Sequence, residues 1–473
     1  MAAGPRLKAG KPAKNSERMG IEPVGKLLFT YSAPVYVAYV AGAIYNLISR
    51  ALISSSPSMI ASGELVTKLA AISVCLPVTT IQMAFASLFG MGGSTLAAIK
   101  VGEGDKEGAN VCMNRAFQMI VVFGLAYIAF GYAFLPQILR AFGASEKVLP
   151  DAMQYGKILL LGSVFQMLAI GMTNYMRVEG RTGLAMISVF IGPVFNVIFG
   201  YLLIKFLDMG IVGAAWATIV GQFSCAVVIV VHYLNPKAYF RFGRSMFGFS
   251  GRLALQIMYT GISSFTVSLC NSIVSIFLNR TAKKYGSDIA IAGLGVVTTL
   301  QHFIVTPAQA VHMGWQSIIG YNFGARLFDR IRKTVRTGII SCIVILTAEW
   351  IVMQLFAHAL VTPFSKGSPE LEAFAARALR IYLVMLPIIP LQQLGSGFFQ
   401  AIRRPLHAVV LSLTRQFIIL IPALAILPRF FGMDGVLFAQ PTADLLSVLI
   451  TLPFMFYFYR NLEKVRASVR IGD

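Results

Sequence analysis

Charged side chains are scarce in the apolar parts of this sequence, so each one found there is a candidate for chemistry. Asp444 closes the run Ala439-Gln440-Pro441-Thr442-Ala443-Asp444, with long apolar stretches on both sides. A carboxylate inside a bilayer must face a cavity, meet a partner or take up a proton, which suits it to proton exchange or cation binding. Arg415 and Gln416 stand in the preceding apolar segment. Arg415 is a candidate partner for Asp444, and Gln440 and Gln416 are candidate neutral ligands. An Asp444–Arg415 pair can serve coupling or plain structure. Glu349 lies in another apolar segment with nothing patterned around it, and reads as a structural acid. Arg50, near the end of the first apolar segment, reads as a snorkelling residue. Gln301 and His302 form a candidate cavity pair, with a structural histidine as the alternative. His302 and His312 are ten residues apart, which does not suit a shared metal, and no H-E-x-x-H run occurs. Gly102-Glu103-Gly104-Asp105 is followed by no Lys-Ser/Thr and so is not a nucleotide loop. The cysteines, Cys75, Cys112, Cys225, Cys270 and Cys342, are odd in number and form no C-x-x-C pair, which argues against a disulfide framework. No acid, base and nucleophile converge in the motifs, so the chain does not read as an enzyme, and no cofactor is expected.

The elements that must position these residues are membrane spans. Hydrophobic residues make up 57% of the 473-residue chain and charged residues only 12%, and the mean hydropathy is +0.73. A soluble domain carries about 25% charged residues. Ile211–His232 contains no Asp, Glu, Lys or Arg and reaches roughly 33 Å as a helix, enough to cross a bilayer core. About twelve such spans are expected, near 26–53, 69–101, 109–135, 152–176, 184–206, 211–234, 252–279, 289–323, 337–356, 374–401, 408–427 and 435–459. The net charge of +21 is concentrated in alternate loops, which places those loops and both termini in the cytoplasm of a multi-pass protein of the cell membrane. There it determines topology and meets anionic lipid, with no nucleic-acid partner. Residues 1–26 have no apolar core before a cleavage site and are not a secretory signal. Prolines inside spans, such as Pro34, Pro193, Pro307 and Pro441, are hinges or static kinks.

The chain is duplicated. Gly92 and Gly314 are 222 residues apart (314−92), and so are Gly102 and Gly324 (324−102). Gly210-x-x-Gly213 corresponds to Gly432-x-x-Gly435 at the same offset, and Gly25-Lys26-Leu27 to Gly251-Arg252-Leu253 at 226 (251−25). Six spans per half give both halves one orientation, as in transporters built from parallel repeats. The expected domains are a basic tail at 1–24, a six-helix lobe at 25–234, a cytoplasmic linker at 235–250, a second lobe at 251–460 and a basic tail at 461–473. Gly320 and Gly324 should sit at a close helix contact.

Several motifs run in a fixed order: Gly92-Gly93-Ser94-Thr95-Leu96 with Gly102-Glu103-Gly104-Asp105, Arg177-Val178-Glu179-Gly180, and Pro193-Val194-Phe195-Asn196. There follow Gly213–Thr218, Gly320–Ala325, Thr414-Arg415-Gln416 and Ala439–Asp444. In this order the chain resembles the multidrug and toxic compound extrusion (MATE) transporters, and within them the bacterial MepA-like branch. The resemblance implies an all-α fold of twelve helices in two pseudo-symmetric six-helix bundles. It also implies export of amphipathic, often cationic, small organic compounds driven by H⁺ or Na⁺, and a monomer. Many members carry Y-N-x-x-D in the first span, where this chain has Tyr45-Asn46-Leu47-Ile48-Ser49, and N-x-x-x-D in the fifth, where it has Asn196-Val197-Ile198-Phe199-Gly200. Ser49 and Gly200 therefore replace the two acids of the ion site, while Asn196 and Thr218 keep its neutral ligands. Asp444 is then the patterned acid left for coupling. Asn46, Gln301, His302, Arg415, Gln416 and Gln440 are the expected substrate-cavity residues. A flippase of lipid-linked or lipid-like substrates and a non-transporting membrane sensor or scaffold are the alternative functions.

Overall fold

The computed structural model describes residues 16–54, 65–142, 144–243, 248, 250–286, 288–365 and 369–464. They are helical almost throughout, with no strand among them. In the first half the helices are α1 (Arg18–Ile21), α2 (Val24–Ser54), α3 (Leu65–Glu103), α4 (Lys106–Ala141), α5 (Leu149–Leu161), α6 (Ser163–Val178), α7 (Thr182–Tyr201) and α8 (Gly210–Leu234). The second half has α9 (Gly251–Tyr285), α10 (Asp288–Gly324), α11 (Phe328–Ser365), α12 (Pro369–Tyr382), α13 (Ile389–Ala401), α14 (Pro405–Leu413) and α15 (Ile421–Arg460). Wider π-helical stretches follow α7 at Leu202–Phe206 and α14 at Thr414–Leu420.

Eight helical stretches among the described residues are long and apolar enough to cross a bilayer, and α5 with α6, bent by 49° at Gly162, adds a ninth. One of the eight, Pro405–Arg460, has 56 residues, about 84 Å at helical rise and far beyond one crossing. Gly432 breaks it with φ 55° and ψ −132°, so it makes two passes. With α2 and α10, of 31 and 37 residues, the passes number twelve. The expected loop between the last two spans, residues 428–434, is instead helix on both sides of that one bend. The ninth span is also longer than its apolar core, since α11 starts at Phe328 and kinks at Phe356. Its first turns carry Asp329, Arg330, Arg332 and Lys333, charged residues that extend a helix past the apolar layer without penalty.

The duplication is visible in the backbone. Left-handed residues occur at Gly104 and Arg326, at Gly180 and Arg403, and at Gly210 and Gly432, separated by 222 (326−104), 223 (403−180) and 222 (432−210) residues. Each pair closes the equivalent turn of the two halves. Glycine adopts this conformation at no steric cost, whereas Arg326 and Arg403 bear one.

The two bundles close on each other through glycines at the end that carries the basic loops. A Cβ on Gly102 would strike the Tyr321 carbonyl and the Ala325 amide, and one on Gly324 would strike the Ile99 carbonyl. Ile99 and Tyr321 are themselves 222 apart (321−99), so these are two copies of one contact. Gly92 against the Ile257 carbonyl and Gly314 against Tyr31 form a second such pair, with Gly261 against Leu88 beside it. Backbone-to-backbone approach of this kind needs residues without a side chain. Buried Leu88, Ile99, Ile257, Ile318 and Phe323 surround the seam and join both halves in one core. A separate core of Cys75, Leu135, Leu139, Leu160, Ile204 and Ile211 belongs to the first half alone.

Candidate functional site

Asp444 lies in α15 one turn beyond Gln440, so both project to the same side of the helix. The carboxylate is 2% exposed. Arg415, in the π-helical stretch after α14, donates to its Oδ1 from Nε at 2.9 Å, and its Nη2 stands 2.7 Å from the same oxygen. Gln440 Nε2 donates to Oδ1 at 3.2 Å and reaches Oδ2 at 3.4 Å. Tyr382, at the end of α12, donates to Gln440 Oε1 at 3.4 Å. Asp444 is thus a buried charge with a hydrogen-bonded partner, the condition under which a low-dielectric interior tolerates it. The expected pairing with Arg415 is present. A π-helical stretch adds a residue to the turn and re-aims the side chains on it. Gln416, next on that stretch, donates to Asn271 Oδ1 of α9 at 2.9 Å, and its own Oε1 is buried with no hydrogen-bond partner among the described residues.

The equivalent place in the first half is neutral. Thr218 precedes Gln440 by 222 residues (440−218) and accepts from Asn196 Nδ2 at 3.3 Å, while its own hydroxyl donates to the Ala214 carbonyl at 2.9 Å. Tyr155 on α5 lies beside Thr218. Gln222, the counterpart of Asp444 (444−222), donates to Gln166 Oε1 of α6 at 3.2 Å. Gly200 is buried at the end of α7. The side chains of Asn46, Ser49 and Arg50 lie outside the described residues. No group of three or more His, Cys, Asp or Glu that could hold a metal occurs among the described residues.

Gln301 and His302 on α10 are half-buried and exposed and take no part in the hydrogen bonds around Asp444. Glu349 on α11 has one carboxylate oxygen buried without a hydrogen-bond partner among the described residues. An apolar hollow of about 320 Å³ opens beside Pro441, between Met385, Leu427, Phe431, Phe438 and Leu445. Another of about 570 Å³, lined by Glu146, Leu149, Met153 and Lys157, is part of neither polar cluster. Tyr382, Tyr155, Gln166 and Asn271 join the clusters although motif spacing did not single them out as site residues. The signal available was an amide or phenol recurring in otherwise apolar segments, at places that correspond between the halves.

Twelve passes among the described residues, in two like-oriented halves that each hold a polar cluster, define a transporter built from a parallel repeat. The MatE family profile matches residues 34–202 and 261–426, one stretch in each half. The chain belongs to the MATE family of multidrug-efflux transporters. It is 24% identical to the multidrug export protein MepA of Staphylococcus haemolyticus over 436 residues, 92% of this chain and 94% of that one. It is 24% identical to MepA of Staphylococcus aureus strain MRSA252 over 446 residues, 94% and 96% of the two. Among solved structures, a multidrug-resistance MATE transporter of the MOP superfamily in an outward-facing conformation superposes with a TM-score of 0.89 at 22% identity, covering 96% of this chain and all of that one. A MOP-superfamily transporter from Pyrococcus furiosus, described as having a binding pocket of reverse polarity, gives 0.88 at 21% identity, covering 96% of this chain and all of that one.

Proposed function

We propose that this protein is a secondary active exporter of amphipathic organic compounds that works by alternating access, with H⁺ or Na⁺ coupling carried by Asp444 in the second lobe. The observation that carries the reading is the contrast between two equivalent polar clusters. One holds a carboxylate with Arg415, Gln440 and Tyr382, and the other holds Asn196, Thr218, Gln166 and Gln222. A carboxylate can exchange a proton or hold a cation, and neutral amides and hydroxyls cannot titrate. The lobes run from 25 to 234 and from 251 to 460 about a linker at 235–250. The basic seam end with both termini faces the cytoplasm, in keeping with the excess of Lys and Arg there. The protein acts as a monomer in the cell membrane, with anionic lipid around its basic end. The apolar hollow beside Pro441 suits the apolar part of a small cargo.

The test is Asp444→Asn in proteoliposomes, with folding checked by size-exclusion profile and thermal midpoint. The expected result is loss of gradient-driven efflux with cargo binding retained. Unchanged efflux in a folded Asp444→Asn protein removes Asp444 from coupling.

A further inference from the structure

The residues before the first span are held chiefly by the lobe they do not lead into. Asn322, in α10 of the second lobe, donates from Nδ2 to the Met19 carbonyl at 3.2 Å. Arg330, in α11 of the same lobe, donates from Nη2 to the carbonyls of Met19 at 2.9 Å and Glu22 at 2.7 Å, and from Nη1 to that of Ile21 at 3.4 Å. Met19 is fully buried. A Cβ on Gly20 would sit 3.1 Å from the Tyr321 ring and 3.5 Å from Leu327. At its other end this segment lies beside the linker, where Ser16 and Glu17 neighbour Tyr239. Tyr239 is tied down there, its amide donating to Glu179 at 2.6 Å and Lys106 lying 5.0 Å above its ring. Arg241 continues the attachment, its amide donating to Asn110 at 2.8 Å and its carbonyl accepting from Asn114 at 3.3 Å.

The segment 16–22 therefore spans the seam at its basic end. Tyr321 and Asn322, which hold it, neighbour the seam glycines Gly320 and Gly324, and the carbonyls it offers are those exposed where the short helix α1 ends. A guanidinium carries five N–H donors in a rigid fork and so can hold several carbonyls at once. We infer that residues 16–22 are a latch that holds the two lobes shut at the basic end, and that Arg330 is its catch. Parting the lobes there separates Tyr239 from Arg330 and strips Met19 from its buried seat, so the latch must open in every cycle. The inference rests on the alternating-access reading, but its test needs no cargo.

In a background with the five buried cysteines replaced, Ala98→Cys reports on the seam, since Ala98 is 1% exposed and touches Gly320. Arg330→Ala is expected to speed N-ethylmaleimide labelling of the thiol introduced by Ala98→Cys by about tenfold, a population shift of the size one charged hydrogen-bonding group supplies. Unaltered labelling in the folded variant overturns the latch. A tether covers the case in which Arg330→Ala does not fold. Gly20→Cys and Leu327→Cys, bridged by a short bis-methanethiosulfonate, are expected to suppress hydrogen exchange at 95–102 and 318–324 until dithiothreitol is added. Equal exchange with and without the bridge overturns the proposal. Seam protection that responds to the tether while no cargo is exported would leave the latch standing and remove the exporter reading.

Discussion

The first lobe builds its polar cluster from neutral groups, and the second builds its own around an ion pair. The positions correspond, Thr218 with Gln440 and Gln222 with Asp444, so the difference lies in the side chains and in the π-helical stretch that carries Arg415. A neutral cluster loses about 1 kcal/mol when one hydrogen bond goes. An ion pair that loses one partner leaves a bare charge in a low dielectric, at several times that cost. The repeated architecture thus holds one robust site and one sensitive site, and sensitivity to charge is what an ion-responsive site requires.

The sharpest break of this comparison is Arg415→Ala. It strands the Asp444 carboxylate, and the expected loss is about 3–5 kcal/mol, read as a large fall in thermal midpoint or in folded yield. Arg415→Ala with Asp444→Asn is expected to recover most of it, and no recovery would show that Arg415 acts through packing. The next effect is at the seam. Gly324→Leu places a side chain on the Ile99 carbonyl and is expected to destabilise by about 1–3 kcal/mol or more. Gly102→Leu, its counterpart, should cost a similar amount, and a large inequality would mean that the two halves of the seam are not equally close.

The turns between spans allow smaller tests. In the first lobe Asp105 caps α4, its Oδ1 accepting from the Gly108 amide at 2.7 Å while Oδ2 accepts from Lys100 at 2.8 Å. Partial burial works to raise the Asp105 pKa, but the bonds from Lys100 and Gly108 outweigh it and hold the carboxyl below its usual range. A lowered folded-state pKa stabilises fully above the unfolded-state value and is lost as pH falls through the folded one. Asp105→Ala is expected to cost about 1 kcal/mol at neutral pH, with the gap from wild type closing in the acid range. A gap independent of pH would remove the charge from the account. The smallest expected effect has the opposite sign. Arg326→Gly supplies the residue that the first lobe has at Gly104 and should stabilise by up to about 1 kcal/mol. Destabilisation would mean that the Arg326 side chain makes contacts worth more than its backbone strain.

Much of this was legible in the sequence, for definite physical reasons. Uncharged segments of twenty or more residues announce spans. The recurrence of Gly92 and Gly102 at Gly314 and Gly324 announces the repeat, since close approach tolerates no other residue. The Arg415–Asp444 pair could be anticipated because the two sit on consecutive apolar segments, where a lone charge is costly. Tyr382 could not, because its link to Asp444 runs through Gln440 from a third helix, and such contacts have no spacing rule. The buried pair of Glu179 and His232, 2.7 Å apart, lay hidden for the same reason: 53 residues separate them. Arg330 is one of four charged residues at positions 329–333, and only the fold shows its fork closed on three carbonyls.

The paired contacts at the seam make it an isologous interface, of the kind a two-fold homodimer has, held within a single chain. In a homodimer every substitution falls twice, so a clash on one side is doubled on the other. Here Gly92 meets Ile257 while Gly314 meets Tyr31, so the two copies of the contact differ in their partner residue. Covalent joining has freed the two halves of the seam to diverge separately, so that one can hold the register while its twin acquires a different side chain.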